Sequence, residues 1–325
     1  MQLTLLTADD IRKALPMSDA IQVMKDAFAA LSCGRAVVPL RPVIPVPPAE
    51  GVMLVKPAYV EGRGLGAKLV SVFPRNAQVG TATIHGLVVL VNPQTGEPTA
   101  LCDGGFLTAW RTGAASGAAT DVLARPEASV GAVLGCGAQG RTQALGIDAV
   151  RSLEEIRVHD RNADAVAALV EEIQPHVHAR LVPASAAREA VEGADIVCTA
   201  TTSTTPVVEG RLLGPGTHLN GIGSFTTEMQ EIDVAAVARS RVFVDSLESA
   251  GAEAGDLVIA ARQGQTRPED WTEIGRVFEG AAPGRQDDAE ITLFKSVGVA
   301  VQDIAAGALA LERARARGLG STVEF

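Results

Sequence analysis

The stretch Ser129-Val130-Gly131-Ala132-Val133-Leu134-Gly135-Cys136-Gly137-Ala138-Gln139-Gly140 decides the fold. An apolar run of strand length ends in glycines spaced G-x-G-x-x-G, and a helix-forming sequence follows through Thr142, Ala144, Leu145 and Ile147. A glycine triplet alone carries little. Between a strand and a helix, however, it is the turn that lays a dinucleotide pyrophosphate on a helix N-terminus. Gly135 permits the tight turn, Gly137 lets the backbone approach the phosphates, and Gly140 lets helix and strand close up. The next apolar run, Arg157-Val158-His159-Asp160, ends about twenty residues on in a carboxylate placed to accept hydrogen bonds from the adenosine ribose hydroxyls. Its charge repels a 2′-phosphate, which favours NAD. Arg161 and Asn162 beside it leave NADP open, because a guanidinium holds a phosphate bidentately.

Outward from this turn, Val130–Leu134, Ile156–His159, Ile196–Ala200, His218–Ile222 and Val242–Asp245 are short apolar runs separated by helical stretches. That alternation predicts a doubly wound parallel sheet of Rossmann type. Upstream the pattern differs. Thr7-Ala8-Asp9-Asp10 precedes a helical period through Ile11, Leu15, Ile21, Met24 and Phe28 that stops at Gly34, which predicts two short helices. Residues 36–60 set prolines between Val, Ile and Leu runs, and 64–101 alternates around Asn92-Pro93-Gln94-Thr95-Gly96, the pattern of an antiparallel sheet with a hairpin. Leu107–Ala124 turns helical, and Pro126 ends it. An Ala-rich helical tail from Thr292 to Arg317 is expected to return to the N-terminal sheet. The fold class is therefore α/β, a Rossmann-type domain over 119–298 plus a discontinuous α+β domain from 1–118 and 299–325.

Composition bounds the partners. At 325 residues the chain has room for two domains. With 28 Lys and Arg against 38 Asp and Glu, the net charge is −10, and no basic surface suited to nucleic acid stands out. A hydrophobic fraction of 47% with only 3% aromatics predicts an aliphatic, closely packed helix-on-sheet core rather than disorder. Cys33, Cys102, Cys136 and Cys198 lie far apart, with neither a C-x-x-C nor a His pair nearby, which fits reduced core thiols and no metal. With no basic leader and no apolar stretch long enough to span a bilayer, the chain reads as cytoplasmic and off the membrane.

The candidate chemistry outside the turn is cationic. Arg41 lies in the apolar segment Val37-Val38-Pro39-Leu40-Arg41-Pro42-Val43, where a buried cation needs an anionic partner such as a substrate carboxylate. Lys68, in Gly64-Leu65-Gly66-Ala67-Lys68-Leu69-Val70, would be brought towards proton-transfer range by desolvation. Taken singly, each is more often a surface cation with a snorkelling stem. Thr108 and Arg111, three residues apart, share one helical face and offer a second planar fork to a carboxylate; an ordinary helix-surface arginine is the plainer reading.

Gly66-Ala67-Lys68, Thr95-Gly96, Asp103, Thr108-Ala109-Trp110-Arg111-Thr112-Gly113-Ala114-Ala115, Gly135-Cys136-Gly137-Ala138-Gln139, Asn220-Gly221-Ile222-Gly223, Asp245, Phe294-Lys295-Ser296-Val297-Gly298 and Gln302-Asp303 follow one another in an order that resembles the ornithine cyclodeaminase/mu-crystallin family over nearly the whole chain. The resemblance implies a homodimer whose first domain, built from both chain ends, binds substrate and dimerises. By position it implies carboxylate binding by Arg41 and Arg111, an active-site Lys68, and either catalysis or helix packing for Asp303. It places Thr83, Thr112, Gly135, Gly137, Ala138, Gln139 and Gly140 against substrate or cofactor. Ser224 falls in the strand-end loop expected to face the nicotinamide, Ala200 and Thr201 are expected to bind the cofactor, and Glu253 and Ser296 lie near the cleft by the same alignment. His85 is a further proton-donor candidate, with an ordinary strand histidine the plainer reading.

One segment departs from the family. In Gly223-Ser224-Phe225-Thr226-Thr227-Glu228-Met229-Gln230-Glu231, Phe225 and Met229 stand where the cyclodeaminases carry an acid and a lysine. Phenylalanine neither accepts a proton nor orients water, so cyclodeamination is disfavoured. The expected activity is NAD(P)H-dependent reduction of the C=N bond of an α-imino acid, of the Δ1-pyrroline-2-carboxylate or Δ1-piperideine-2-carboxylate type. The alternatives are an NAD-dependent alanine dehydrogenase acting on an α-keto acid, an ornithine cyclodeaminase, or a non-catalytic protein that binds NAD(P)H or another small ligand, as mu-crystallin does.

Overall fold

A computed structural model describes residues 2–39 and 41–324, apart from the side chains of Ala77 and Gln78. The chain divides into two units, Met1–Arg111 with Val299–Phe325, and Thr112–Gly298.

The first unit opens with strand β1 (Gln2–Leu6). Thr7 then caps helix α1 (Ala8–Ala14): its Oγ1 accepts from the Asp10 N–H at 3.3 Å while the Asp10 carboxylate accepts from the Thr7 N–H at 3.0 Å. This reciprocal pair is what the Thr7-to-Asp10 spacing encodes. Helix α2 (Met17–Ser32) buries Ala20, Ile21, Met24, Ala27 and Phe28, one stripe at helical period. Strands β2 (Ala36–Val37), β3 (Val43–Val46), β4 (Gly51–Val60), β5 (Gly64–Val72), β6 (Ile84–Val91) and β7 (Pro98–Asp103) follow, the last two joined by a hairpin in which Asn92 Oδ1 accepts from the Gln94 N–H at 2.9 Å. Helix α3 (Gly104–Leu123) comes next, and the division between the units falls within it.

In the second unit strand and helix alternate: β8 (Val130–Leu134), α4 (Ala138–Asp148), β9 (Glu155–His159), α5 (Ala163–Ile173), β10 (Arg180–Pro183), α6 (Ala187–Val191), β11 (Ile196–Thr199), β12 (His218–Gly221), α7 (Val234–Arg239), β13 (Ser240–Val244), α8 (Leu247–Glu253), α9 (Gly255–Arg262), β14 (Thr272–Glu273), α10 (Ile274–Phe278) and β15 (Ile291–Lys295). The strands form one sheet in the order β10-β9-β8-β11-β12-β15-β13-β14. Every pairing in it is parallel. The expected doubly wound architecture is present. Two aliphatic clusters, one including Val197, Leu219, Val242 and Leu293 and the other Val133, Ile147, Ile156 and Ile196, make its core. Each such side chain contributes about 1.5–3 kcal/mol on burial.

The chain then re-enters the first unit. Helix α11 (Ala300–Arg317) packs on α1, α2, β4, β5 and β6, and strand β16 (Ser321–Glu324) pairs antiparallel with β1. The first sheet has the order β16-β1-β7-β6-β5-β4-β2, with β3 also on β4, and its single parallel pairing among these strands is β1 with β7.

Three expectations are corrected. The helical tail begins at Ala300 and not at Thr292, because Thr292–Lys295 belongs to β15, a strand buried along its whole length between β12 and β13. A central parallel strand covered on both faces has no period by which to tell it from a buried helix. Strands β1, β10, β14 and β16 were not foreseen either, being short and at or near sheet edges. Finally, Cys102, Cys136 and Cys198 are buried free thiols, but Cys33 is exposed at the end of α2. Among the described residues no helix is long and apolar enough to cross a membrane.

Candidate active site

In the second unit the glycine turn joins β8 to α4. Gly135 has φ +96°, and a Cβ there would lie 2.5 Å from the Ala200 carbonyl oxygen. A Cβ at Gly140 would lie 1.9 Å from the Gly135 carbonyl oxygen, so any other residue would force the turn open. Gly137, by contrast, faces space with no heavy atom within 4 Å of its would-be Cβ, and it caps α4 without a side-chain hydrogen bond. An unobstructed helix N-terminus with unclaimed N–H groups is what a pyrophosphate requires. Asp160 braces the turn, its Oδ2 accepting from the Cys136 N–H at 2.8 Å and its Oδ1 from the Asn162 N–H at 2.9 Å. A carboxylate has about four lone-pair sites, which leaves two for ribose hydroxyls. Ala138 and Arg161 are exposed, Gln139, Ala200 and Thr201 half-buried beside the turn. These residues fit a dinucleotide. Arg141, which the sequence reading passed over, donates to the Cys136 carbonyl oxygen and to Glu172 at 2.7 Å, locking the turn from its far side.

Beneath the strand ends lies a buried ionic frame. Lys295 Nζ stands 3.0 Å from Asp256 Oδ2, and Asp256 Oδ1 accepts from the backbone N–H groups of Glu231 and Ile232 at 2.7 and 3.0 Å. Glu231 in turn accepts from the N–H of Thr201 at 2.6 Å and of Ser224 at 2.9 Å, tying the loops after β11 and β12 together. Burial pushes the Glu231 carboxyl above the usual range, with Lys295 opposing. Ser224 and Ser296 were expected at the cofactor, but both are buried and spend their hydroxyls on this scaffold: Ser224 Oγ donates to the Met229 carbonyl at 2.9 Å and Ser296 Oγ to Asp245 Oδ2 at 2.8 Å. Asp245 also accepts from the N–H groups of Val297 and Gly298 at 3.0 and 2.8 Å. Thr112 is buried in α3, and Glu253 half-buried at the end of α8. Met229 is buried and Phe225 43% exposed, and neither offers a charge.

The first unit holds a second buried ionic cluster of different make. Lys68 on β5 points its Nζ at Asp303 Oδ2, 2.8 Å away on α11, and donates to Thr108 Oγ1 at 3.2 Å. Arg111 on α3 donates from Nε to Asp303 Oδ1 at 3.0 Å and from Nη1 to Gln302 Oε1 at 2.9 Å. Lys68, Asp303 and Arg111 are exposed by 3%, 0% and 4%. Burial lowers the Lys68 pKa to about 8 against the opposing pull of Asp303, with the charges of Arg111 and Arg41 adding to the lowering. Burial alone would raise Asp303, but Arg111, Lys68 and Lys56 more than reverse this and hold it at about 2.

Arg41, Lys68, Arg111 and Asp303, picked out separately in the sequence, are thus gathered in one cluster. Thr83 and His85 are not part of it. Thr83 lies just before β6, where its carbonyl accepts from the Phe73 N–H at 2.8 Å. On β6, Val88 pairs with Lys68 and His85 with Ser71, so His85 stands on the opposite face of the sheet from Lys68 and is exposed. That placement corrects its candidacy as a proton donor beside Lys68. The sequence reading also missed Lys56, which β4 sets directly opposite Lys68 and which is only 9% exposed. Burial, then the charges of Lys68 and Arg41, bring its pKa down to about 7. The alternation of β4 and β5 about the turn at Gly62 was the available signal.

A glycine turn of this build on a doubly wound sheet, in one chain with a buried cluster rich in cations, defines the class of dinucleotide-binding α/β oxidoreductases. The chain belongs to the ornithine cyclodeaminase/mu-crystallin family, whose model matches residues 1–318. It is 38% identical over 323 residues to a Δ1-pyrroline-2-carboxylate reductase of Bacillus cereus, covering 98% of this chain and 99% of that protein. Its structure is similar to that of Thermococcus litoralis Δ1-pyrroline-2-carboxylate reductase in complex with NADH and L-proline, with a TM-score of 0.94 and 37% identity over 99% of this chain and 100% of the other. An archaeal alanine dehydrogenase dimer with bound NAD matches with a TM-score of 0.92 and 32% identity over 100% of both chains.

Proposed function

We propose that the protein is an NADH-dependent imine reductase that converts Δ1-pyrroline-2-carboxylate to proline. The observation that carries this reading is the buried cluster of the first unit, in which Lys68 and Arg111 converge on Asp303 with Lys56 directly opposite Lys68 and the charge of Arg41 acting on both lysines. Lys56, Lys68 and Arg111 are buried and Arg41 half-buried, and a lining of this kind suits a substrate carboxylate. Arg111 uses Nε and Nη1 within the protein, which leaves Nη2 for that carboxylate, and Arg41 offers a second fork. Lys68 protonates the imine nitrogen. Its ammonium is held by Asp303 and Thr108, and with a pKa of about 8 it is charged at neutral pH yet a competent acid. The surrounding positive charge favours electron flow towards the nitrogen.

The Gly135–Gly140 turn would hold the pyrophosphate of NADH and Asp160 its ribose, and the cofactor would supply the hydride for the imine carbon. The likeness to a solved reductase holding NADH and L-proline supports both ligands. The test is spectrophotometric: the protein should oxidise NADH with preformed Δ1-pyrroline-2-carboxylate and no ammonia, and more efficiently than NADPH. The alanine dehydrogenase reading is favoured by the 32% identity to the archaeal enzyme, and NADH oxidation only when pyruvate and ammonia are both present would establish it instead.

We further read the protein as a cytoplasmic homodimer. Ile44, Tyr59 and Leu87 are 50%, 38% and 48% exposed, and Met53, Val55 and Leu69 share their face of the first sheet, away from Lys68. An apolar face of this kind suits a second copy, and the buried free thiols suit a reducing compartment. Sedimentation at twice the chain mass is the expected result.

A further inference from the structure

Lys56 interrupts an otherwise apolar face of β4. Its neighbours on the same face of β4, Leu54, Ala58 and Val60, are aliphatic, and an aliphatic residue would satisfy the fold without the cost of burying an ammonium. It stands directly opposite Lys68 on the antiparallel partner strand, where facing Cβ atoms lie about 4.5–5.5 Å apart. The charges of Lys68 on β5, Arg41 ahead of β3, Arg111 on α3 and Asp303 on α11 all act on it. A substrate carboxylate entering this cluster shifts the balance and draws Lys56 towards its charged form.

The proposed reaction has a use for that charge. A neutral imine nitrogen gains two protons before the product leaves as an ammonium, and Lys68 carries one at a time. Resting on the reductase reading above, we infer that Lys56 is the site's second acid, which takes up a proton as the substrate carboxylate binds and passes it to Lys68 once Lys68 has protonated the imine. The balance is complete. Lys68 gives its proton to the nitrogen and becomes an amine; the C=N π bond opens as the carbon is reduced by the dinucleotide, its electron pair remaining on nitrogen. Lys56 then passes its proton to Lys68, Lys68 delivers it to the nitrogen lone pair, and solvent recharges Lys68 in the cycle's last step, while Lys56 takes up its own proton when the next carboxylate binds.

The test is calorimetric titration of the full-length protein, with NADH present, by pyrrole-2-carboxylate, a planar carboxylate that is not reducible in this way, at pH 7.5 in two buffers of different ionisation heat. The wild type should take up about half a proton per site. Lys56→Arg keeps the cation but cannot change charge, so it should bind the ligand and lose most of that uptake, with kcat for Δ1-pyrroline-2-carboxylate down about tenfold or more at little change in KM. Lys56→Met should lose the uptake as well, with circular dichroism confirming its fold. No uptake by the wild type, or undiminished uptake by Lys56→Arg, overturns the inference. Uptake that depends on Lys56 in a protein that does not reduce the imine would instead leave the charge linkage standing and remove the reductase reading.

Discussion

The two buried lysine–aspartate pairs, Lys295 with Asp256 at 3.0 Å and Lys68 with Asp303 at 2.8 Å, are alike in distance and burial and differ in everything around them. Asp256 is also bonded to two backbone N–H groups, and the neighbouring Glu231 holds two more along with the Thr199 hydroxyl. Backbone N–H groups hold both carboxylates, and such a frame positions loops. Asp303 is bonded to the side chains of Lys68 and Arg111, with two more cations at hand. A cluster held by side chains and rich in cations is adapted to receive an anion. Burial of an ion pair therefore does not tell structure from chemistry; what the remaining lone pairs bind does.

The largest effect should come from removing the anion of the second pair. Asp303→Asn removes the carboxylate paired with Lys68 and Arg111 and should cost about 3–5 kcal/mol in urea unfolding, with activity lost. The same carboxylate sets an acid limit in the wild type. Held at about 2 against a usual 3.8, it stabilises the fold fully above the unfolded value, and that contribution disappears as pH falls through about 2, which an acid titration followed by circular dichroism will show. Wild-type stability equal to that of Asp303→Asn would mean the cations do not depend on it.

Next in size, Lys68→Ala should lower kcat by about 10²–10⁴ while NADH binding, followed by fluorescence, is retained. In the wild type kcat should fall as pH rises through about 8, because the acid form of Lys68 is then lost. Near-normal turnover by the variant would remove Lys68 from the chemistry. Glu231→Gln places an amide where two N–H donors converge and should cost about 1–3 kcal/mol of stability, with kcat changed only a few-fold. A large loss of kcat at unchanged melting temperature would move the framing cluster into the reaction. Smallest of all, His85→Ala, on the far face from Lys68, should leave kcat within about twofold, as exposed substitutions usually do.

Much of this was legible beforehand, for physical reasons. The Gly135–Gly140 turn could be read because each glycine answers a steric demand that other residues fail, and the apolar runs on either side had strand length. β15 was not, since Ile291–Lys295 is buried on both faces and has no period. Arg41, Lys68 and Arg111 stood out as cations in apolar surroundings, whereas Lys56, between Val55 and Pro57, gains meaning only from its register against Lys68. Ser224 and Ser296 show a different gap: a hydroxyl at a strand end reads as a ligand contact, and only the fold shows that its proton goes to a carbonyl or carboxylate inside the protein.

Helix α11 brings Asp303 back to Arg111 across 192 residues of chain, and almost the whole second unit is the loop between them. On the ribosome, the parallel sheet is complete while the first unit still lacks its last helix and strand. A nascent chain thus carries Lys68 and Arg111 without their aspartate until synthesis is nearly finished.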